Sequence, residues 1–232
     1  YLRIGYFEGD TADELKRQLA ALQSASGGAL SGLVLDLRNN PGGLLTTAVE
    51  VADLFLEGGP IVSTRGRTAA SNVLYRAGAG DVLQGAPIAV LLDVGTASSA
   101  EVVAGALRDQ RRALLLGARS FGKGSVQTVV DLGNGDALKL TTARYYTPSG
   151  RSIQAAGILP DVTLPGTAIR GLREQDLPTH LSGDAEVPDG YATGVIVEGE
   201  SAVAEALRRV KQAAAARQAT ARRATSAGSF HS

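Results

Sequence analysis

Cysteine is absent from the 232 residues, which excludes disulfides, thiolate nucleophiles and cysteine-bound zinc. Histidine is nearly absent: only His180 and His231 occur. The first lies in an irregular region and the second is next to last, so a histidine-based triad has little to draw on. Lysine is scarce too, with Lys16, Lys123, Lys139 and Lys211 against 19 arginines. No apolar run approaches the roughly 18 residues of a membrane-spanning helix. Neither sign of charge dominates, since 23 basic residues balance 23 acidic ones, and this gives no general pull toward nucleic acid or anionic membranes. The opening YLRIGYF has neither a methionine nor a charged-then-apolar leader. It reads as the start of a processed or excised piece, with any targeting signal outside it. What is present is 44% apolar residues, enough to bury the core of one large domain, or of one domain with an appendage.

The patterning alternates strands and helices. Leu2, Ile4 and Tyr6 have the period of a half-buried strand. Thr11 and Glu14 match a capping box ahead of a helix with Leu15, Leu19 and Leu22 on one face, ended by Gly27 and Gly28. Leu33–Leu37 is a short, nearly continuous apolar run, as expected of a parallel strand covered on both faces. It leads into Asn39, Asn40, Pro41, Gly42 and Gly43, which no regular element absorbs. A helix through Leu45, Val49, Ala52 and Leu56 and a strand over Ile61–Thr64 follow. Arg65–Gly85 reads as a loop or short excursion. Strand Ile88–Val94, a helix from about Ser98 to Asp109, strand Ala113–Leu116, and two extended runs around Gly133–Asp136 come next. The expected fold class is α/β, with a mainly parallel sheet, helices packed around it and an antiparallel hairpin extension. The expected division is a core over residues 1–166, a C-terminal extension over 167–216 with one helix (Ser201 to about Ala216; Val203, Leu207 and Val210 inward), and an unstructured tail over 217–232. There is no internal repeat.

The chemistry-bearing stretch is Gly95–Gln127. Ser98 stands between an apolar strand and an amphipathic helix, and Lys123 is held between Gly122 and Gly124. If Ser98 is a nucleophile it needs a base. Arginine cannot lose its proton, whereas a lysine in a dry environment can; in an arginine-rich chain this makes Lys123 the leading candidate, an ordinary loop cation being the competing reading. Gln127 lies at even spacing from Lys123, on the same side if the chain is extended there, and its amide could orient the amine without adding charge. A plain strand residue is the equal alternative. Asp109 is eleven residues after Ser98, about 16 Å along a helix axis, too far for a partner; it reads as structural support, bracing a loop. An oxyanion would be met by the backbone N–H of Ser99 at the helix start, with the NNPGG turn as the best source of a second donor, although a tight turn after a strand explains that segment as well.

Taken together, LVLDLRNNPGG, GTASSAEVVAGALRD, FGKGSVQ, LTTARYYTPSGRSIQ and GILPDV, in this order, resemble the carboxyl-terminal processing peptidases, or tail-specific proteases. The resemblance covers Tyr1 to about Pro165. It implies Ser98, rather than Ser99, as the nucleophile, Lys123 as base and Gln127 as the third member of the centre. It implies oxyanion donors at Gly43, with Gly42 second to it, and at the Ser99 N–H, and it matches Asp109 to the aspartate late in the nucleophile helix. It further implies a Clp protease/crotonase-like fold and a serine endopeptidase that processes or degrades proteins from or near an apolar C-terminal tail. Such enzymes act outside the cytoplasm, in the bacterial periplasm, cell envelope or thylakoid lumen. No cofactor or metal is called for. Members usually carry a PDZ domain just before the strand matched to Tyr1–Phe7, and none is expected within this chain; a homo-oligomer is compatible with the pattern. Competing classes are a non-catalytic ligand- or protein-binding module on the same fold, an acyl-CoA enzyme using only the oxyanion donors, and a protease core held inactive without its PDZ domain.

Overall fold

The computed structural model describes residues 1–170, 172–185, 188 and 193–228. In chain order its elements are β1 (Leu2–Arg3), α1 (Thr11–Ala25), β2 (Leu33–Asp36), α2 (Leu45–Asp53), β3 (Gly59–Gly66), β4 (Val73–Ala77), β5 (Ile88–Leu92), α3 (Ser99–Asp109), β6 (Ala113–Gly117), β7 (Ser125–Asp131), β8 (Ala137–Tyr146), β9 (Val162–Thr163), β10 (Thr167–Ile169), β11 (Gly194–Ile196) and α4 (Glu200–Gly228).

The centre is a parallel sheet in the order β1-β2-β5-β6-β9. Its inner strands are apolar on both faces because both are covered. On one face Leu33, Leu35, Val90, Leu92 and Leu115 pack with Leu15 and Leu19 of α1, Val51 of α2 and Val103 and Leu107 of α3. On the other, Val34, Ala89, Leu91 and Leu116 meet Ala202, Ala206 and Val210 of α4. An antiparallel sheet, β4-β3-β8-β7, leans against the first layer, and β10 pairs with β11.

Several local expectations change. The first strand is short: Ile4 is buried, but Tyr6 is exposed and Phe7 is fully buried in its place, because Phe7 bridges to Gly43 and turns the chain there. Thr11 accepts the Glu8 N–H at 2.9 Å instead of capping its own helix, and Glu14 pairs with Arg17 and Gln18 on the surface. The polar excursion contains β4, a strand made by pairing with β3, a tertiary gain that its mixed composition does not signal. In α4, Ala202 and Ala206 are buried while Leu207 is exposed; small side chains let the helix lie close on the sheet. The helix continues past residue 216 to Gly228, through an alanine- and arginine-rich stretch of high helix propensity. Residues 229–232, including His231, lie outside the described residues.

Candidate active site

Three loops leave the carboxyl ends of the adjacent parallel strands β2, β5 and β6, the edge where open α/β sheets place their ligands. They carry residues 37–44, 93–98 and 118–124. Hydrogen bonds stitch them together: Thr96 Oγ1 donates to the Leu37 carbonyl at 2.8 Å, Ala97 N–H to the Asn40 carbonyl at 2.8 Å and Phe121 N–H to the Thr96 carbonyl at 2.9 Å. Asp93, fully buried, accepts the N–H groups of Asn39 and Gly95 at 3.0 Å each.

Ser98 is the N-cap of α3 and has φ 55° and ψ −119°. A non-glycine residue in that region is strained by roughly 1–3 kcal/mol; the turn lifts the serine out of both strand and helix geometry, and Ser98 is only half-buried. Opposite it lies the Gly42–Gly43 pair, at φ 105° and 142°. A Cβ on Gly42 would stand 2.8 Å from Ser98 Cβ, and one on Gly43 would run into the Phe7 backbone, so only glycine allows this approach. The Gly42 N–H is already bound by Asn40 Oδ1 at 2.8 Å. Among the described residues, the N–H groups of Gly43 and Ser99 have no acceptor. Ser99, buried, donates its hydroxyl to the Gly43 carbonyl at 2.8 Å and fixes the turn to the helix start.

The residue missed from sequence is Glu101. It is fully buried and its carboxylate accepts four hydrogen bonds: from the N–H of Ser98 (2.8 Å), Gly122 (2.8 Å) and Lys123 (2.9 Å) and from the Ser120 hydroxyl. One side chain thus ties the backbone of the serine to the loop of the lysine. Burial pushes its carboxyl up to about 7, against the pull of Ser120 and of the three N–H groups. The signal available in the sequence was the S-x-x-E spacing of Ser98 and Glu101.

Lys123 is half-buried and lines a groove together with Ser125 and Gln127; it precedes β7, and the bulge between Val126 and Gln127 interrupts the alternation that even spacing assumes. Gln127 follows a bulge in β7 and is exposed. Among the described residues, no hydrogen bond joins Ser98 Oγ to Lys123 Nζ, nor Lys123 Nζ to Gln127. Asp109 stands at the far end of α3, where it accepts the Ser149 N–H at 3.0 Å. Burial would raise its carboxyl, but hydrogen bonds from Thr147 and Ser149 outweigh this and hold it below its ordinary range. His180, placed from sequence in an irregular region, borders the same groove, with its Nδ1 2.8 Å from the Leu177 carbonyl oxygen.

A glycine turn and a helix start facing one serine, with an amine in the adjoining groove, have the layout of a serine hydrolase on an α/β scaffold. The profile of peptidase family S41 matches residues 1–164, and the chain belongs to that family. It is 46% identical over 205 residues to the carboxy-terminal-processing protease of Bartonella bacilliformis, covering 85% of this chain and 47% of that protein. It is 38% identical over 187 residues to the chloroplastic C-terminal processing peptidase of Tetradesmus obliquus, covering 81% of this chain and 38% of the relative. Among solved structures, the photosystem II D1 C-terminal processing protease superposes with a TM-score of 0.63 at 40% identity, covering 70% of this chain and 41% of that one. The architecture shared with that structure is α/β, a parallel sheet with helices packed around it and an antiparallel extension. The chain spans less than half the length of these relatives.

Proposed function

We propose that this chain is the catalytic core of a serine endopeptidase that cuts proteins at or near an apolar C-terminal tail, outside the cytoplasm. The observation that carries the proposal is the Glu101 clasp, which links the strained Ser98 turn to the Lys123 loop beside two N–H groups without acceptors. In this mechanism Ser98 Oγ attacks the peptide carbonyl carbon while the uncharged Lys123 amine takes its proton. The oxyanion forms against the N–H groups of Gly43 and Ser99; Gly42, committed to Asn40, is the weaker donor. Collapse of the tetrahedral adduct breaks the C–N bond, and Lys123 returns the proton to the leaving amine. Water then hydrolyses the Ser98 ester by the same route in reverse. Gln127 orients the amine, and Asp109 supports the fold from the far end of α3.

Because Ser98 and Lys123 are not hydrogen-bonded to each other, a second reading, a core that rests inactive until a further domain or the substrate closes the pair, has a specific observation in its favour. Labelling with a serine-directed phosphonate tests both. An adduct located on Ser98 by mass spectrometry and lost in Ser98→Ala supports the first; labelling that requires a bound apolar-tailed peptide supports the second. An adduct on another serine contradicts both.

A further inference from the structure

Residues 172–181 lie beyond the family-matched region and have no part in the mechanism above, yet they are bound to the loop that carries Lys123. Arg173 is fully buried, and its guanidinium donates to the Ser120 carbonyl at 3.3 Å. Glu174 N–H donates to the Phe121 carbonyl at 3.3 Å. The Glu174 carboxylate accepts Gln154 Nε2 at 3.1 Å, while Gln154 Oε1 accepts the Gly124 N–H at 3.0 Å. Gln154 Nε2 also donates to the Leu181 carbonyl at 3.0 Å. The segment is therefore tied to the lysine loop on both sides of Lys123, at Phe121 and at Gly124.

With the polar groups engaged in anchoring, Leu172 and Leu177 are left facing the groove, each 42% exposed. Val94, Ala97 and Phe121 of the core line the same groove, together with Lys123 and Gln127. The space is about 500 Å³, within the range of sites that take small ligands or a few residues of peptide, which are apolar with a few placed polar groups. The groove is lined by Lys123 and by Ala97, the residue before Ser98, so an apolar wall fixed to the base-bearing loop borders the proposed reacting centre.

We propose that residues 172–180 form the selecting wall of the substrate groove, with Leu172 and Leu177 receiving an apolar side chain adjacent to the scissile bond. This deepens, and rests on, the protease reading of the same groove. The anchoring residues Arg173 and Glu174 hold the wall, and the two leucines read the substrate.

The test uses the full chain and two unstructured peptides that differ only in leucine or alanine ahead of the cleaved bond. The parent chain is expected to favour the leucine peptide, and Leu172→Ala with Leu177→Ala to lower the leucine-to-alanine ratio of kcat/KM by about tenfold, the discrimination that a few methylenes supply. The same ratio is read from peptide affinity in the Ser98→Ala background, with and without the two leucine substitutions, so that it is measured even if turnover is lost. A parent without a leucine advantage in either readout, or a ratio unchanged by the double substitution, overturns the inference. Failure of the protease reading has a separate signature: the parent cleaves neither peptide, or Ser98→Ala cleaves as well as the parent, while the affinity ratio still decides the role of the wall.

Discussion

The starts of α1 and α3 carry the same four-residue pattern, a hydroxyl residue followed three positions later by glutamate, and use it differently. At Thr11–Glu14 the glutamate turns outward to Arg17 and Gln18, and the threonine serves the preceding loop. At Ser98–Glu101 the glutamate turns inward, accepts the Ser98 N–H, and then reaches three groups on another loop. Local sequence specifies a helix start in both places. What differs is the neighbourhood: α3 begins at the carboxyl edge of the sheet, beside a loop whose N–H groups at Gly122 and Lys123 point to its glutamate, and α1 begins at the surface.

The largest effect separating the two starts is expected from removing each glutamate. Glu101→Ala leaves two buried donors and two part-buried ones without their acceptor and should destabilise the chain by about 3–5 kcal/mol, with loss of cleavage. Glu14→Ala should leave both the thermal midpoint and cleavage unmoved. Equal effects in thermal unfolding would erase the distinction.

A pH series sharpens it. The Glu101 carboxyl is raised in the folded chain from its ordinary value of 4.5 to about 7. Between those values the folded state holds a proton that the unfolded state has lost, so this group's contribution to stability falls as pH rises from about 4.5 to about 7 and is level above. The change is on the order of 3 kcal/mol. Activity should move the other way, rising through about pH 7 as the ionised carboxylate becomes able to accept all four donors. Glu101→Gln should flatten the stability slope, measured by denaturant unfolding at each pH; a slope that persists would assign it to other groups. The Glu14 carboxyl is held below its ordinary range by hydrogen bonds from Gln18 and Arg17, so Glu14→Gln should leave this window unaltered.

The smallest contrast is between the hydroxyls. Ser99→Ala removes the bond to the Gly43 carbonyl, worth about 1 kcal/mol, and should lower kcat several-fold while keeping most of the fold's stability. Thr11→Ala removes a bond to Glu8 and should not change kcat. A loss of all activity in Ser99→Ala would move the nucleophile by one residue.

Much of this was legible in the sequence. The apolar runs of β2, β5 and β6 identified a covered parallel sheet, because strands buried on both faces leave no other pattern. Ser98, Lys123 and the glycine pair stood out because residue type and position both departed from their surroundings. Glu101 did not, since its motif is also an ordinary helix cap and its role depends on donors about twenty residues away in sequence. β4 was hidden because a strand paired on one edge needs little apolar periodicity. The wall at Leu172 and Leu177 was hidden because a polar segment without apolar periodicity takes its form from the loop it is bonded to.

The most direct measurement is the rate at which the full chain cleaves an unfolded, apolar-tailed protein, compared among the parent, Ser98→Ala and Lys123→Ala. The expected result is cleavage by the parent and none above background in either variant, with all three folded by circular dichroism. Cleavage at the parent's rate by either variant would contradict the assignment of nucleophile and base.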